Sequence, residues 1–383
     1  MKILHVRSIY LGVSFVYYLI MGLKNSENYI VSREIRSEDD SRYPFKNVIL
    51  TPVRYRTLWN INKYFIIKYG KKLINDWFAF KSVVRNRKYD LIHAHMGPEG
   101  FYAMPLSKHL NVPLVVSFYG GDMSDFPIKY PAWIKRYKEL FDYASLILVE
   151  GEVMKSKIID LGCPPSKVYI NKISVPLNRI KYRQPIIPNE NKYSIFMCAS
   201  FVYKKGFDDA ISTIDTLNKR GYKISLHIVG DGMLDKDIKQ MVARSSISRN
   251  VTFYGRMDVD LIYNIARDKD IFFHPSKTGP HGESEGGAPT IILEMQALGL
   301  PIVSTFHADI PNIIPKENQY LAEENNVHEL VKVFEKLIKD KESWVEISLR
   351  GRKFIEDQHS NLHVSRNLEE QYRKIIENQR QDT

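Results

Sequence analysis

Two carboxylates bracket a short glycine-rich run in the C-terminal third of the chain, Glu285-Gly286-Gly287-Ala288-Pro289-Thr290-Ile291-Ile292-Leu293-Glu294. Paired glycines let backbone amides approach a ligand closely, and a proline suits the first position of a helix, where a missing N–H costs nothing. The helix that follows turns its positive end toward the loop, which makes the loop an anion site suited to a diphosphate. Glu294 falls about one turn inside that helix, where an acceptor-only carboxylate suits ribose hydroxyls. The same residues also describe a capped core helix with no ligand at all.

What positions this loop is legible on both sides of it. Asp270-Ile271-Phe272-Phe273-His274-Pro275-Ser276 reads as a buried strand stopped by a proline, and Gly299 to Thr305 reads as a turn followed by another apolar strand. Strand, loop, helix, strand is the unit of a doubly wound sheet, which binds ligands beyond the carboxyl ends of its strands.

The chain has 383 residues, of which 44% are hydrophobic, so it can bury a large core and is long enough for two domains. Cys163 and Cys198 are the only cysteines, far apart, which excludes a disulfide framework and fits a reducing, cytoplasmic compartment. The eleven histidines form no His-Glu-x-x-His or comparable pair, so no structural metal is expected. The apolar run from Ile9 to Leu23, broken by Gly12 and Ser14, is too short to span a bilayer. It reads instead as the opening of a doubly wound domain, with strand Met1 to Val6, a loop from Tyr10 to Ser14 and a helix from Phe15 to Leu23.

Formal charge is +11, so an anionic partner is expected. Ten Lys or Arg and a single acid, Asp76, lie between Arg54 and Lys88, interleaved with Trp59, Phe65, Trp77, Phe78 and Phe80. That mixture suits either a helix resting on an anionic membrane or an amphipathic crossover helix with a solvated basic side, and no nucleic-acid-binding motif occurs.

Apolar strand-like runs alternate with helical patterns throughout, the mark of parallel α/β sheets. Strands are expected at 2–6, 29–32, 47–50, 91–94, 114–118, 146–149 and 168–173. A stretch carrying Pro176, Pro185 and Pro188 then has linker composition. Beyond it come strands at 194–199, 225–229 and 251–254, with helices at 208–219, 234–243 and 261–266. Further helices are expected at 329–341 and 369–377. The division is a domain over 1–178, a linker over 179–191, a second domain over 192–350 and C-terminal helices over 351–383, for which packing back on the first domain is open. Four loops of the second half follow strands in register: Lys204-Lys205-Gly206, Gly230-Asp231-Gly232, Tyr254-Gly255-Arg256 and the glutamate loop. A lysine in the first of these can meet a diphosphate as a point charge while Gly206 permits the tight entry to a helix.

In this order the residues resemble the retaining glycosyltransferases of family 4, and the resemblance covers nearly the whole chain. Enzymes of bacterial exopolysaccharide, colanic acid and O-antigen assembly have segments similar to Leu4-His5-Val6-Arg7-Ser8 with Phe15, to Asp90-Leu91-Ile92-His93-Ala94-His95-Met96-Gly97, to Ser117-Phe118-Tyr119-Gly120-Gly121-Asp122 and to Val303 through Pro311. The resemblance implies an α/β, GT-B architecture, two Rossmann-like doubly wound domains facing each other across a cleft. Three positions differ from the family pattern. Eight residues separate Glu285 from Glu294 where seven are usual, Ala199-Ser200 stands where Gly-Arg clamps the diphosphate, and Tyr119-Gly120 replaces His-Gly.

What the resemblance implies is a retaining hexosyltransferase moving sugar from a nucleotide diphosphate sugar, UDP-sugar favoured and GDP-sugar possible, to a lipid-linked saccharide acceptor at the inner face of the plasma membrane. Neither a metal nor another cofactor is expected. Donor binding would fall to Ser200, Lys204, Lys205, Arg256, Glu285, Gly286, Gly287, Ala288, Pro289, Thr290 and Glu294, with Lys205 and Glu285 acting in catalysis. Lys205 and the loop amides would hold the departing phosphate, Glu285 would steady the cation-like sugar, and Tyr254 to Met257 would meet the base. From the first domain, Gly12, His95, Gly97, Tyr119, Gly120 and Asp122 would line the acceptor side, with His95 either a ligand contact or a purely structural histidine. The same architecture also carries nucleotide-sugar epimerases and phosphorylases, and a non-catalytic nucleotide- or glycan-binding subunit is a third reading.

Overall fold

The computed structural model describes residues 1–7, 14–32, 43–50, 88–188 and 190–381, together with isolated positions between 61 and 84. The chain forms two compact units, the first of Met1–Ser174 with Asn361–Thr383 and the second of Val175–Ser360. The division thus falls at 174 and 360 rather than at 178 and 350, because residues 175–191 join the second unit's fold. Arg183 N–H donates to Leu298 O, and the Lys341 ammonium donates to Pro188 O.

Unit 1 is a parallel sheet of β1 (Lys2–Val6), β2 (Glu27–Ser32), β3 (Val48–Leu50), β4 (Leu91–His95), β5 (Leu114–Ser117), β6 (Leu146–Val149) and β7 (Val168–Ile170), in spatial order β3-β2-β1-β4-β5-β6-β7. Its central strands are buried on both faces, which is why they read as apolar runs. On one face Leu4, Ile92, Ala94 and Val116 join the main core, while on the other Ile3, Leu91, Val115 and Leu148 meet Val364, Leu368 and Tyr372 of the terminal helix Asn361–Gln381. By the same alternation His5, His93 and His95 fall on the face that the terminal helix covers. The register sets His5 beside His93 and His95 beside Ser117. The expected helix at 369–377 is thus the middle of a longer one, anchored where Glu369 accepts from Asn25 N–H, Asn25 Nδ2 and Ser26 Oγ.

Unit 2 repeats the architecture with β8 (Lys192–Cys198), β9 (Lys223–Val229), β10 (Val251–Gly255), β11 (Ile271–His274), β12 (Ile302–Thr305) and β13 (Tyr320–Ala322), all parallel in the order β10-β9-β8-β11-β12-β13. Two Rossmann-like parallel sheets are therefore present. Strand order reverses beside β1 and β4 in unit 1 and beside β8 and β11 in unit 2, the positions where such sheets bind ligands. β13 has no counterpart in the sequence reading, since three residues carry too little alternation to register.

Two expectations differ from the structure. Pro289 is not the first helical residue but the cap before it, with φ −62° and ψ 121°, and the helix is Thr290–Leu298. In the basic stretch, much of which lies outside the described residues, Lys72 is buried. Its ammonium sits 4.4 Å over the Tyr102 ring and 3.8 Å from Glu99, so it cannot face a membrane. Gly12 and the 8–13 loop also lie outside the described residues. No helix among the described residues is long and apolar enough to cross a membrane.

Candidate functional site

In unit 2 the loops after β8 and β11 meet through an ion pair. Lys205 Nζ donates to both carboxylate oxygens of Glu285, each at 2.7 Å, and Ser276 Oγ donates to Glu285 Oε1 at 2.6 Å. His274 Nε2 lies 3.7 Å from the same oxygen, too far for a hydrogen bond yet close enough to act electrostatically. Burial pushes the Glu285 carboxyl upward, but the Lys205 ammonium and His274 override it and hold the group well below the ordinary carboxylate range. The sequence assigned these two residues separate partners, phosphate and sugar, whereas the structure joins them to each other. Their local chemistry is that of a neutral dipole with one exposed edge, since Lys205 keeps 15% of its side chain accessible and Glu285 keeps 7%.

The loop geometry follows from local constraints. Gly206 has φ +64°, and a Cβ there would meet Pro275 O at 1.9 Å, so only glycine lets the Lys204-Lys205 turn lie against the end of β11. Lys204 Nζ donates to Ser284 O at 2.7 Å, tying that turn to the glutamate loop. Lys277, buried, pairs with Asp208 at 2.7 Å and Asp209 at 3.0 Å at the start of the helix Phe207–Lys219. Gly286, with φ +82°, turns the chain toward the helix Thr290–Leu298.

Behind the loop stands His307. Glu285 N–H donates to its Nε2 at 3.1 Å, so Nε2 carries the lone pair and Nδ1–H donates to Glu324 Oε1 at 2.5 Å. This carboxylate–imidazole–amide line fixes the backbone from which the Glu285 side chain projects. Sequence reasoning quoted His307 only within a longer segment and gave no role to it, to Ser276, to His274 or to Lys277. Nothing but three-dimensional proximity links residues so far apart.

Glu294 is buried within its helix, and that burial raises its carboxyl to about 7 against the hydrogen bond from Tyr263 and the charge of Arg179. Gly286, Gly287 and Pro289 are buried, Ala288 and Thr290 half-buried, and Ser200 and Arg256 exposed. The helix begins at Thr290, so the additional residue between the two glutamates falls in the loop.

Unit 1 places its residues at the ends of β1, β4 and β5. Asp122 accepts from Gly97 N–H at 2.8 Å and from Tyr119 N–H at 2.9 Å, and Tyr137 donates to its carbonyl. Its carboxylate is a clamp holding two loops rather than a group free to meet an acceptor, and burial outweighs those amides to raise it to about 6. Gly97 lies against Phe118, and Gly120 turns the chain with φ +86°. His95 is fully buried, bonded to His5 and Tyr119, so it reaches a ligand only through Tyr119. His5, His93 and His95 are the one group among the described residues whose nitrogens, lying within 4.8 Å of one another, could hold a metal ion. In the structure as it stands, the head-on His5–His95 bond uses lone pairs that a cation would need.

Burial lowers all three imidazoles, His5 to about 4 and the other two well below 6.5. A lowered histidine favours folding only while neutral, so unit 1 should lose stability as pH falls below 6.5. His5 alone would remove about 3 kcal/mol and the rise of Asp122 would return about the same between pH 6 and 3.8, which leaves His93 and His95 as a net loss. Urea unfolding followed by circular dichroism at neutral pH and near pH 4.5 should therefore show the unit 1 transition moving to lower denaturant in acid. An unmoved or raised midpoint would contradict buried neutral imidazoles.

Comparison with known proteins matches both units. Residues 14–177 match the model described as Glycosyltransferase Family 4, and residues 178–354 match Glycosyl transferases group 1. The chain is similar to the putative colanic acid biosynthesis glycosyltransferase WcaL of Escherichia coli strain K12, 26% identical over 73% of this chain and 69% of that one. It aligns with 59% of the length of the Salmonella typhimurium counterpart. To the amylovoran biosynthesis glycosyltransferase AmsK of Erwinia amylovora it is 28% identical over 75% of this chain and 69% of that one. The fold is shared with HepE of Anabaena, solved in complex with UDP, at a TM-score of 0.75 and 16% identity over 98% of this chain and 100% of that one.

Proposed function

Because the chain belongs to the glycosyltransferases that join a Family 4 segment to a group 1 segment, we propose that it transfers a sugar from a nucleoside diphosphate donor to a saccharide acceptor, with retention of anomeric configuration, in the building of an extracellular polysaccharide. The carrying observation is the Lys205–Glu285 pair, set at the strand-order reversal of unit 2 beside the amides of Gly286, Gly287 and Ala288. Similarity to proteins of colanic acid and amylovoran biosynthesis supports the polysaccharide context, and the UDP in the HepE complex supports a nucleoside diphosphate donor.

In this reading the bond from the anomeric carbon to the β-phosphate oxygen breaks as a bond from that carbon to the acceptor oxygen forms on the same face. The acceptor's proton passes to the leaving phosphate, so no strong protein base is required. Glu285 faces the cation-like sugar, while Lys205, the loop amides and the helix end at Thr290 take up the developing phosphate charge. Ribose hydroxyls meet Glu294, and the base lies by Arg256. None of these steps calls for a metal ion.

Incubation with a panel of nucleotide sugars, with and without a lipid-linked saccharide, tests the proposal through release of nucleoside diphosphate. Acceptor-dependent release supports transfer, release of free nucleotide sugar isomers would indicate an epimerase, and release by inorganic phosphate a phosphorylase.

A lipid-linked acceptor places the enzyme at the cytoplasmic face of the membrane, held by the basic stretch from Arg54 to Lys88. Each Lys or Arg near an anionic surface contributes about 1 kcal/mol, so Lys63, Lys68 and Lys71 reversed to Glu should abolish sedimentation with acidic vesicles at low salt. Equal pelleting by the variant, or equal binding to neutral vesicles, would return the stretch to a solvated helix face.

A further inference from the structure

Unit 1 holds a continuous buried line of polar side chains whose direction can be deduced atom by atom. Asn28 Nδ2 donates to Leu23 O at 3.1 Å and to Ser26 O at 3.2 Å, so its Oδ1 must face His5 Nε2, which lies 3.2 Å away. Flipping the amide would set its oxygen against two carbonyls. His5 Nε2 therefore carries a proton and His5 Nδ1, in the neutral ring that burial enforces, carries a lone pair. Across 3.0 Å that lone pair accepts from His95 Nε2–H. His95 Nδ1 is then bare and accepts the Tyr119 phenol proton at 2.6 Å.

A second arm runs beside it, with the His93 ring 4.1 Å from that of His95. His93 Nε2 shares a hydrogen bond with Ser117 Oγ at 2.8 Å, and His93 Nδ1 shares one with the Tyr372 hydroxyl at 2.6 Å. In the first arm every proton points the same way, from Tyr119 toward Asn28. The charges acting on these two arms are Arg7, Glu150, Asp122 and Glu369.

We propose that Asn28 and His5 are positioning residues that fix this direction, so that the half-buried Tyr119 phenol offers a ligand only an oxygen lone pair and selects a group that donates, such as a sugar hydroxyl. The choice of a sugar hydroxyl rests on the glycosyl-transfer reading. The direction of the line does not.

The first measurement needs no variant. In protein with 15N-labelled histidine, long-range 1H–15N correlation at neutral pH should show His5 and His95 as Nε2–H tautomers. An Nδ1–H tautomer or an imidazolium at His5 or His95 would overturn the proposal. Asn28→Leu, which removes the acceptor, should release the His5 and His95 tautomers. Retention of the full pattern in folded Asn28→Leu would show that Asn28 sets nothing.

Kinetics supply the other arm. Tyr119→Phe and Asn28→Leu should each lower kcat/KM for sugar transfer about tenfold, the scale of one lost hydrogen bond. The expected tautomers with a kinetically silent Tyr119→Phe would overturn the ligand half. Absence of transfer by wild type alongside the expected tautomers would count against glycosyl transfer and leave the directed line standing.

Discussion

Glu285→Gln should lower turnover by about 100-fold or more, the scale of removing one preorganised electrostatic group from a transition state, while donor KM moves little. The amide keeps the shape of the carboxylate and an oxygen that can accept from Ser276, but it loses the charge that would face the developing cation. It also leaves Lys205 without its counter-charge. Thermal unfolding must accompany the kinetics, because a fall in turnover matched by unfolding at the assay temperature would be trivial. Wild-type turnover in a folded Glu285→Gln protein would remove Glu285 from the mechanism.

Lys205→Met should have the largest effect on stability. It strands the Glu285 carboxylate, 7% exposed, with only Ser276 Oγ and His274 nearby. Breaking a buried pair from one side costs about 3–5 kcal/mol, whereas replacing both charges can be close to neutral. The double variant Lys205→Met with Glu285→Gln should therefore be more stable than Lys205→Met alone, a non-additivity that a double-mutant cycle in urea detects. Additive losses would mean that the pair is not coupled in solution.

The strand-loop-helix-strand unit around Glu285 could be read from the sequence because its signals are local: an apolar run closed by Pro275, two glycines, then apolar helical residues. Strand ends moved by one to three residues, as for β8, where Lys192 and Tyr193 pair with β9 although their polarity suggested a start at Ser194. The placing of Lys205 and Glu285 on strand-exit loops was also legible, and the pairing of β8 with β11 brings those two loops together. The bonding of the two residues to each other was not legible, since 80 residues separate them. The histidine line escaped for a related reason: His5, His93 and His95 alternate as core positions do, and only pairing of β1 with β4 and the cover of the terminal helix bring their nitrogens into contact. Asp122, read as an acceptor contact, is a backbone clamp because its two carboxylate oxygens accept from the Gly97 and Tyr119 amides.

Glu294 carries the most direct test of the donor site. Its carboxyl, raised to about 7 by burial, should gain affinity for ribose hydroxyls as pH rises through neutrality and it ionises. Titration calorimetry with UDP and GDP should show one nucleotide per chain, binding more tightly above pH 7 than below it. Glu294→Ala should weaken that binding by roughly 1.5–3 kcal/mol, about 10- to 150-fold. No binding of either nucleotide by the folded wild type, or equal affinity in wild type and Glu294→Ala, would contradict a nucleoside diphosphate site in this unit.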